Sequence, residues 1–193
     1  MCMPLLAAFA SVPDVVSMER IVDRHIPDYH QCELAEDRQR IAGVLFKGYA
    51  LNNNYTRCLA LWQYLTSQGT APHPSIQAMV LDACGYMNRV DHLDDIVGLL
   101  ERQPWGGCDI NVWTSAVEAY LRLLRLDRAL HVATRIVPNK GLEPNKKFVG
   151  VLLTVRRDAN RTLDSKAVAK YLSTLSPKLV AEVRRDLRER GAL

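Results

Sequence analysis

One apolar spacing recurs along this chain at nearly constant intervals. The positions i, i+3, i+4 and i+7 form one face of an α-helix. They are apolar at Ala42, Leu45, Phe46 and Tyr49, and again at Ile76, Met79, Val80 and Ala83. A third set is Trp113, Ala116, Val117 and Tyr120, and a fourth is Phe148, Val151, Leu152 and Val155. The sets begin 34, 37 and 35 residues apart. Such a period marks a repeated supersecondary unit, whose apolar face only a neighbouring unit can cover.

A second stripe follows each first one: Tyr55, Cys58, Leu59 and Trp62, then Leu93, Ile96, Val97 and Leu100, then Leu126, Ala129, Leu130 and Ala133. In the fourth unit it is degraded, with Asp164 ahead of Ala167, Val168 and Tyr171. Each unit therefore reads as a helical hairpin. The step between stripes is 13 residues in the first and third units and 17 in the second. Four residues make about one helical turn, so the second unit is expected to have a longer first helix or a longer turn within GYMNRVDH.

The joints carry matching punctuation. Gly69 and Pro72 recur as Gly141 and Pro144, 72 residues later. Glycine suits the left-handed residue just past a helix end, and proline keeps the residue before it extended. Trp-Gly-Gly at 105–107 makes the corresponding joint after the second unit without a proline. Asp109, Asn145 and Ser75 are candidate N-caps. The segments MPLLAAFA and VVSMERIVDRHI supply a further hairpin, and Pro177 opens a last helix with Arg184, Arg185, Arg188 and Arg190 on its outer side. The expected fold is all-α, an α-solenoid of four to five stacked hairpins. It divides into a degenerate hairpin at 1–38, repeats at 39–73, 74–109 and 110–145, a degenerate repeat at 146–176 and a capping helix at 177–193.

Composition excludes several classes. No apolar run reaches the roughly 18 residues that cross a bilayer. MPLLAAFASV reads as a buried helix, since it lacks the basic leader of a signal peptide, and no Arg-rich transit peptide is visible. The five cysteines, at 2, 32, 58, 84 and 108, form no CxxC pair, which argues for a reducing compartment. His25, His30 and Cys32 lie close in sequence but have no fourth ligand at a telling spacing, so no metal is expected. Asp91, His92, Asp94 and Asp95 read as a solvated or capping acidic turn. No Gly-rich phosphate loop, activated nucleophile or paired-carboxylate motif is present. The chain is read as a non-enzyme without cofactor. Its net charge of +4 is uneven: residues 146–193 carry twelve Lys or Arg against five Asp or Glu, a net of +7, which leaves −3 for the rest. A basic end suits a polyanionic partner or a solvated surface.

A hairpin of this length that closes in Gly-x-x-Pro and a polar residue resembles the pentatricopeptide repeat (PPR). The stretches that carry the resemblance are LFKGYALNNNYTRCLALWQYLTSQGTAPH, VWTSAVEAYLRLLRLDRALHVATRIVPNKGLEPN and PNKKFVGVLL, within residues 39–160. The rival tetratricopeptide repeat prefers a small residue where Phe46, Val80 and Val117 stand. The resemblance implies binding of single-stranded RNA, one base per repeat, in a mitochondrion or plastid, in RNA processing or translation.

In that family two side chains per repeat read the base. One lies in the first turn of the first helix and the other is the last residue of the repeat. Carried over by motif, the readers are Gly43 with His73, Gln77 with Asp109, Thr114 with Asn145, and Val149 without a clear partner. Thr114 with Asn145 resembles an adenine reader, and a hydroxyl and an amide together can meet one base edge. The other positions depart from the pattern. Gly43 has no side chain, Val149 cannot hydrogen bond, and Gln77 is an unusual partner for Asp109. Asn111, Pro74 and Lys146 stand where the family places an aliphatic wedge. Sequence readout is therefore expected to be limited, with Lys146, Lys147, Arg156, Arg157 and Arg161 available for phosphates.

Each of these residues also has a plain structural role open to it: Thr114 and Asn145 as helix-start residues, the lysines as solvated surface, Trp62, Trp113, Tyr49 and Tyr120 as core. Trp105, in a joint, is a candidate partner contact. The leading expectation is an RNA-binding adaptor. The alternative is a protein-interaction solenoid that serves as a structural subunit of an organellar assembly such as a mitochondrial ribosome.

Overall fold

The structure, a computed structural model, describes residues 3–12, 14–25, 35–67, 69, 71–102, 109–158 and 164–192. All regular secondary structure among the described residues is helical. The chain divides into two compact units, Met1–Met87 and Asn88–Leu193.

The first unit holds α1 (Met3–Ala10), α2 (Val15–His25), α3 (Ala35–Leu51), α4 (Tyr55–Ser67) and α5 (Pro74–Tyr86). Successive helices pair as hairpins, α1 with α2 and α3 with α4. The first helices α1, α3 and α5 pack in that order, and each second helix also touches the next first helix, α2 on α3 and α4 on α5. The C-terminal parts of α1 and α3 lie close: Lys47 Nζ on α3 meets Ser11 Oγ beside the end of α1 at 3.5 Å.

The second unit repeats this order with α6 (Val90–Arg102), α7 (Ile110–Arg122), α8 (Leu126–His131), α9 (Val137–Asn139), α10 (Lys146–Asp158), α11 (Asp164–Thr174) and α12 (Pro177–Glu189). Here α6 packs on α7, α7 on α8 and α10, and α10 on α11 and α12. The last helix thus takes the place of one more first helix. A π-helical turn, Val132–Ile136, joins α8 to α9. Pro138 follows two residues later, lacks an N–H and would crowd the Thr134 carbonyl in a regular helix, so a widened turn accommodates it.

The stripes form the core. All positions of the first-helix sets at 42–49 and 113–120 are buried, with Phe46, Trp113 and Tyr120 among the largest fully buried side chains. Burial of each large apolar side chain contributes roughly 1.5–3 kcal/mol. Gly69 and Gly141 adopt φ of 66° and 64°, as expected for residues that end helices in the left-handed region. The extra turn expected of the repeat at 74–109 is divided differently from either option. The turns at 52–54 and 123–125 span three residues, and the link from α5 to α6, at 87–89, has the same length. The difference instead lies mainly in α6, which begins at Val90, three residues ahead of its stripe at Leu93. The N-cap of α5 is His73, with Pro74 opening the helix, so Ser75 is not the cap.

A polar device recurs beside the stripes. Tyr49 Oη donates to Glu19 Oε1 at 3.2 Å, and Arg57 Nε lies 3.5 Å from the same oxygen. Tyr120 Oη donates to Asp94 Oδ1 at 2.6 Å, and an Arg128 guanidinium nitrogen lies 3.5 Å from Asp94 Oδ2. Each tyrosine ends a first helix and reaches back to a carboxylate on the preceding second helix, and the arginine of its own hairpin closes the clamp. Both the tyrosines and the arginines are 71 residues apart.

Candidate nucleic-acid interface

The expected base-reading positions fall into two groups, one inside the fold and one at helix starts. Thr114, at the start of the second turn of α7, has no exposed surface, and its hydroxyl donates to the Ile110 carbonyl at 2.6 Å. Gln77 is 1% exposed and donates through Nε2 to the Pro72 carbonyl at 2.7 Å. Val149 is also fully buried. Gly43 is half-buried, and a Cβ built there would meet nothing within 4 Å.

The second-position residues are all caps. His73 Nδ1 accepts from the Ser75 amide at 3.2 Å. Asp109 Oδ1 accepts from the amides of Asn111 and Val112 at 2.9 and 3.1 Å. Asn145 Oδ1 accepts from the Phe148 amide at 2.9 Å. These bonds satisfy backbone donors that a helix start leaves unpaired.

The fold does bring two of the predicted positions together through a third. Asn145 Nδ2 donates to Asn111 Oδ1 at 3.0 Å, and Asn111 Nδ2 donates to Asp109 Oδ2 at 3.3 Å. Asp109, Asn111 and Asn145 thereby form a polar ladder across the adjacent starts of α7 and α10. Asn111, placed by motif at a wedge position, is its bridge. Asp109 and Asn111 are exposed and Asn145 half-buried. The ladder can present amide and carboxylate edges to solvent, while the buried Thr114 hydroxyl is not part of it.

The paired lysines have carboxylate partners. Lys146 Nζ lies 2.5 Å from Glu182 Oε1, and Lys147 Nζ lies 3.1 Å from Glu118 Oε2. Glu182 holds the Lys146 ammonium above its ordinary pKa, chiefly through their hydrogen bond, and Lys146 lowers that of Glu182 in return. Further exposed cations stand on the outer face of α12: Lys178, Arg185 and Arg188, with Arg190 just past its end. Val180 and Val183 on the opposite side are buried. Arg184, expected on the outer side, is half-buried.

Other singled-out residues serve the core. Trp62, Trp113, Tyr49 and Tyr120 are buried. Cys58 and Cys84 are buried, and burial pushes the pKa of the Cys58 thiol up to about 12. Trp105, Arg161, His30 and Cys32 lie outside the described residues, as do the side chains of Arg156 and Arg157. Among the described residues no three His, Cys, Asp or Glu are grouped to hold a metal ion. No described helix is long and apolar enough to cross a membrane. The sequence matches no family model and no curated protein.

Proposed function

We propose that this chain is a protein-interaction scaffold, an α-solenoid of PPR-like hairpins that serves as a structural subunit of an organellar assembly such as a mitochondrial ribosome. One observation carries the reading. The side chains expected to read bases are spent on the fold: Thr114 on the Ile110 carbonyl and Asn145 on the Phe148 amide. Reading by Thr114 requires its hydroxyl to break that bond and reach the surface, at a cost of about 1 kcal/mol or more for the bond alone. Tagged protein purified from its source cells after nuclease treatment should retain a stoichiometric protein complex. Recovery as a lone monomer would contradict the proposal.

The second reading, an RNA-binding adaptor in a mitochondrion or plastid, is favoured by the cationic outer face of α12. Contacts from Lys178, Arg185 and Arg188 to phosphates are blind to sequence and weaken steeply with salt. Binding to homopolymers of similar affinity, with a salt slope that falls when Arg185 and Arg188 are replaced by alanine, would support it. The readings are compatible in a ribonucleoprotein subunit, which contacts RNA and protein together.

A further inference from the structure

Two arginines of α2 share one face and one cavity. Counted from Ser17, Arg20, Ile21 and Arg24 follow at i+3, i+4 and i+7, a single stripe of the helix. Ile21 is buried, whereas Arg20, Arg24 and the neighbouring His25 are exposed. With Phe9 of α1 these side chains line a cavity of about 220 Å³.

The acids nearest in sequence are engaged elsewhere. Asp14 caps α2, its Oδ1 accepting from the Ser17 amide at 2.9 Å, and Arg20 adds only a weaker electrostatic attraction to it. Glu19, on the opposite face, holds Tyr49 and Arg57. Asp23 is exposed and does not line the cavity. Among the described residues no carboxylate lies within ion-pair distance of Arg20, Arg24 or His25. Two like charges one turn apart repel and weaken a helix slightly. Arg24 and His25 also face the carbonyl end of α2, whose partial charge of about −0.5 offsets part of theirs. A positive excess remains at this cavity, in a unit whose six Lys or Arg are outnumbered by eight Asp or Glu.

We propose that this cavity binds a phosphomonoester that carries a planar ring, the chemistry of a mononucleotide. A guanidinium fork meets phosphate oxygens through paired hydrogen bonds, and His25 can add a ring N–H. A phosphate dianion answers two fixed charges better than a single carboxylate does. The other wall is apolar: Ile21 is buried and Phe9 half-buried, so Phe9 offers a ring edge or face to the ring of the ligand. The volume lies below the range of about 300–1,000 Å³ usual for drug-sized ligands. It therefore takes the phosphate and part of the ring and leaves the rest in solvent. The site uses none of the base-reading positions and no part of α12, and it does not rest on the scaffold reading.

The test titrates the purified full chain with adenosine monophosphate and follows labelled isoleucine methyl groups by NMR. A saturable shift at Ile21 with millimolar affinity is expected, with Ile76 and Ile96 unmoved. Inorganic phosphate should bind the same site more weakly, and adenosine should not saturate it. Arg20→Ala and Arg24→Ala, both at exposed positions, should each weaken the nucleotide roughly three- to tenfold, the value of a partly exposed charge-assisted hydrogen bond. An unchanged Ile76 signal shows that each variant is folded. Phe9→Leu should narrow the difference between the nucleotide and inorganic phosphate. The absence of a saturable shift at Ile21 would overturn the proposal, as would affinity unchanged in both arginine variants. Shifts of equal size at Ile21, Ile76 and Ile96 would show diffuse anion binding and overturn it as well. Adenosine binding as tightly as its monophosphate would remove the phosphate from the site, and inorganic phosphate binding as tightly would remove the ring.

Discussion

The two compact units carry the same clamp and surround it differently. In Met1–Met87 the tyrosine meets a glutamate at 3.2 Å, and in Asn88–Leu193 an aspartate at 2.6 Å. The first unit leaves a groove at Ala83. The second lines up the Asp109–Asn111–Asn145 ladder and a cationic last helix. Charge divides the same way: residues 1–87 carry six Lys or Arg against eight Asp or Glu, and residues 88–193 carry nineteen against thirteen. Similar helix pairings thus carry two kinds of surface, a groove lined largely by apolar and aromatic side chains with Lys47 and Asp82 in one unit and a polar, basic face in the other. The helix pairing recurs in both units, and the side chains around it set the surface of each.

The largest effects test whether both cores depend on their stripes. Trp113→Ala in the second unit and Phe46→Ala in the first should each cost ~3–5 kcal/mol in denaturant unfolding. A small loss at either site would mean that the stripe there is not the packing element described.

The clamp should separate the units more finely. Tyr120 donates a short bond to a carboxylate, so Tyr120→Phe should cost about 1.5–3 kcal/mol, and Tyr49→Phe, with its longer bond, about 0.5–1.5 kcal/mol. Burial, followed by the Asp94 bond, raises the Tyr120 pKa above its ordinary value of 10.0. The unfolded chain releases this proton near its ordinary pKa while the folded chain retains it. Stability from Tyr120 is therefore complete below that value and declines as pH rises above it. Unfolding measured from neutral to strongly alkaline pH should lose stability more steeply in the wild type than in Tyr120→Phe, and equal slopes would count against the clamp.

The hairpin turns give a smaller effect of opposite sign. Asn53, Asn88 and Leu124 all sit at positive φ, 54° to 55°. Asparagine tolerates that conformation, whereas leucine pays roughly 1 kcal/mol for it, and Leu124 is 90% exposed. Leu124→Asn should stabilise the protein by roughly 1 kcal/mol, and Asn88→Leu should destabilise it by a similar amount, both read from thermal melts. The smallest effect is expected at the surface: Lys147→Ala, which breaks a half-exposed pair with Glu118, should cost less than about 1 kcal/mol.

Much of this architecture was legible in the sequence because stripe periodicity and joint residues are local signals. The first helices, the hairpin turns, the left-handed Gly69 and Gly141, the caps at Asp109 and Asn145 and the last helix all follow from spacing and turn chemistry. The interface was less legible. Motif placement assigned Thr114, Gln77 and Val149 to reading positions, but burial is decided by neighbouring helices that are distant in sequence. The clamp carboxylates were hidden for the same reason: Glu19 and Asp94 lie 30 and 26 residues before their tyrosines, with no fixed offset. The matched spacing of Tyr49 to Arg57 and Tyr120 to Arg128 was the one available clue. Asn111 was visible only as a departure from an aliphatic wedge, and the fold makes it the bridge of the ladder.

The claim that the expected reading residues serve the fold is tested most directly by RNA binding of the purified chain to the four homopolymers at low salt, wild type beside Asn145→Ala. The account predicts similar affinities for all four, unchanged in rank by the substitution, together with a loss of helix stability of about 1 kcal/mol from the missing cap. A clear preference for poly(A) that disappears in Asn145→Ala would contradict it and return Thr114 and Asn145 to the role of base readers.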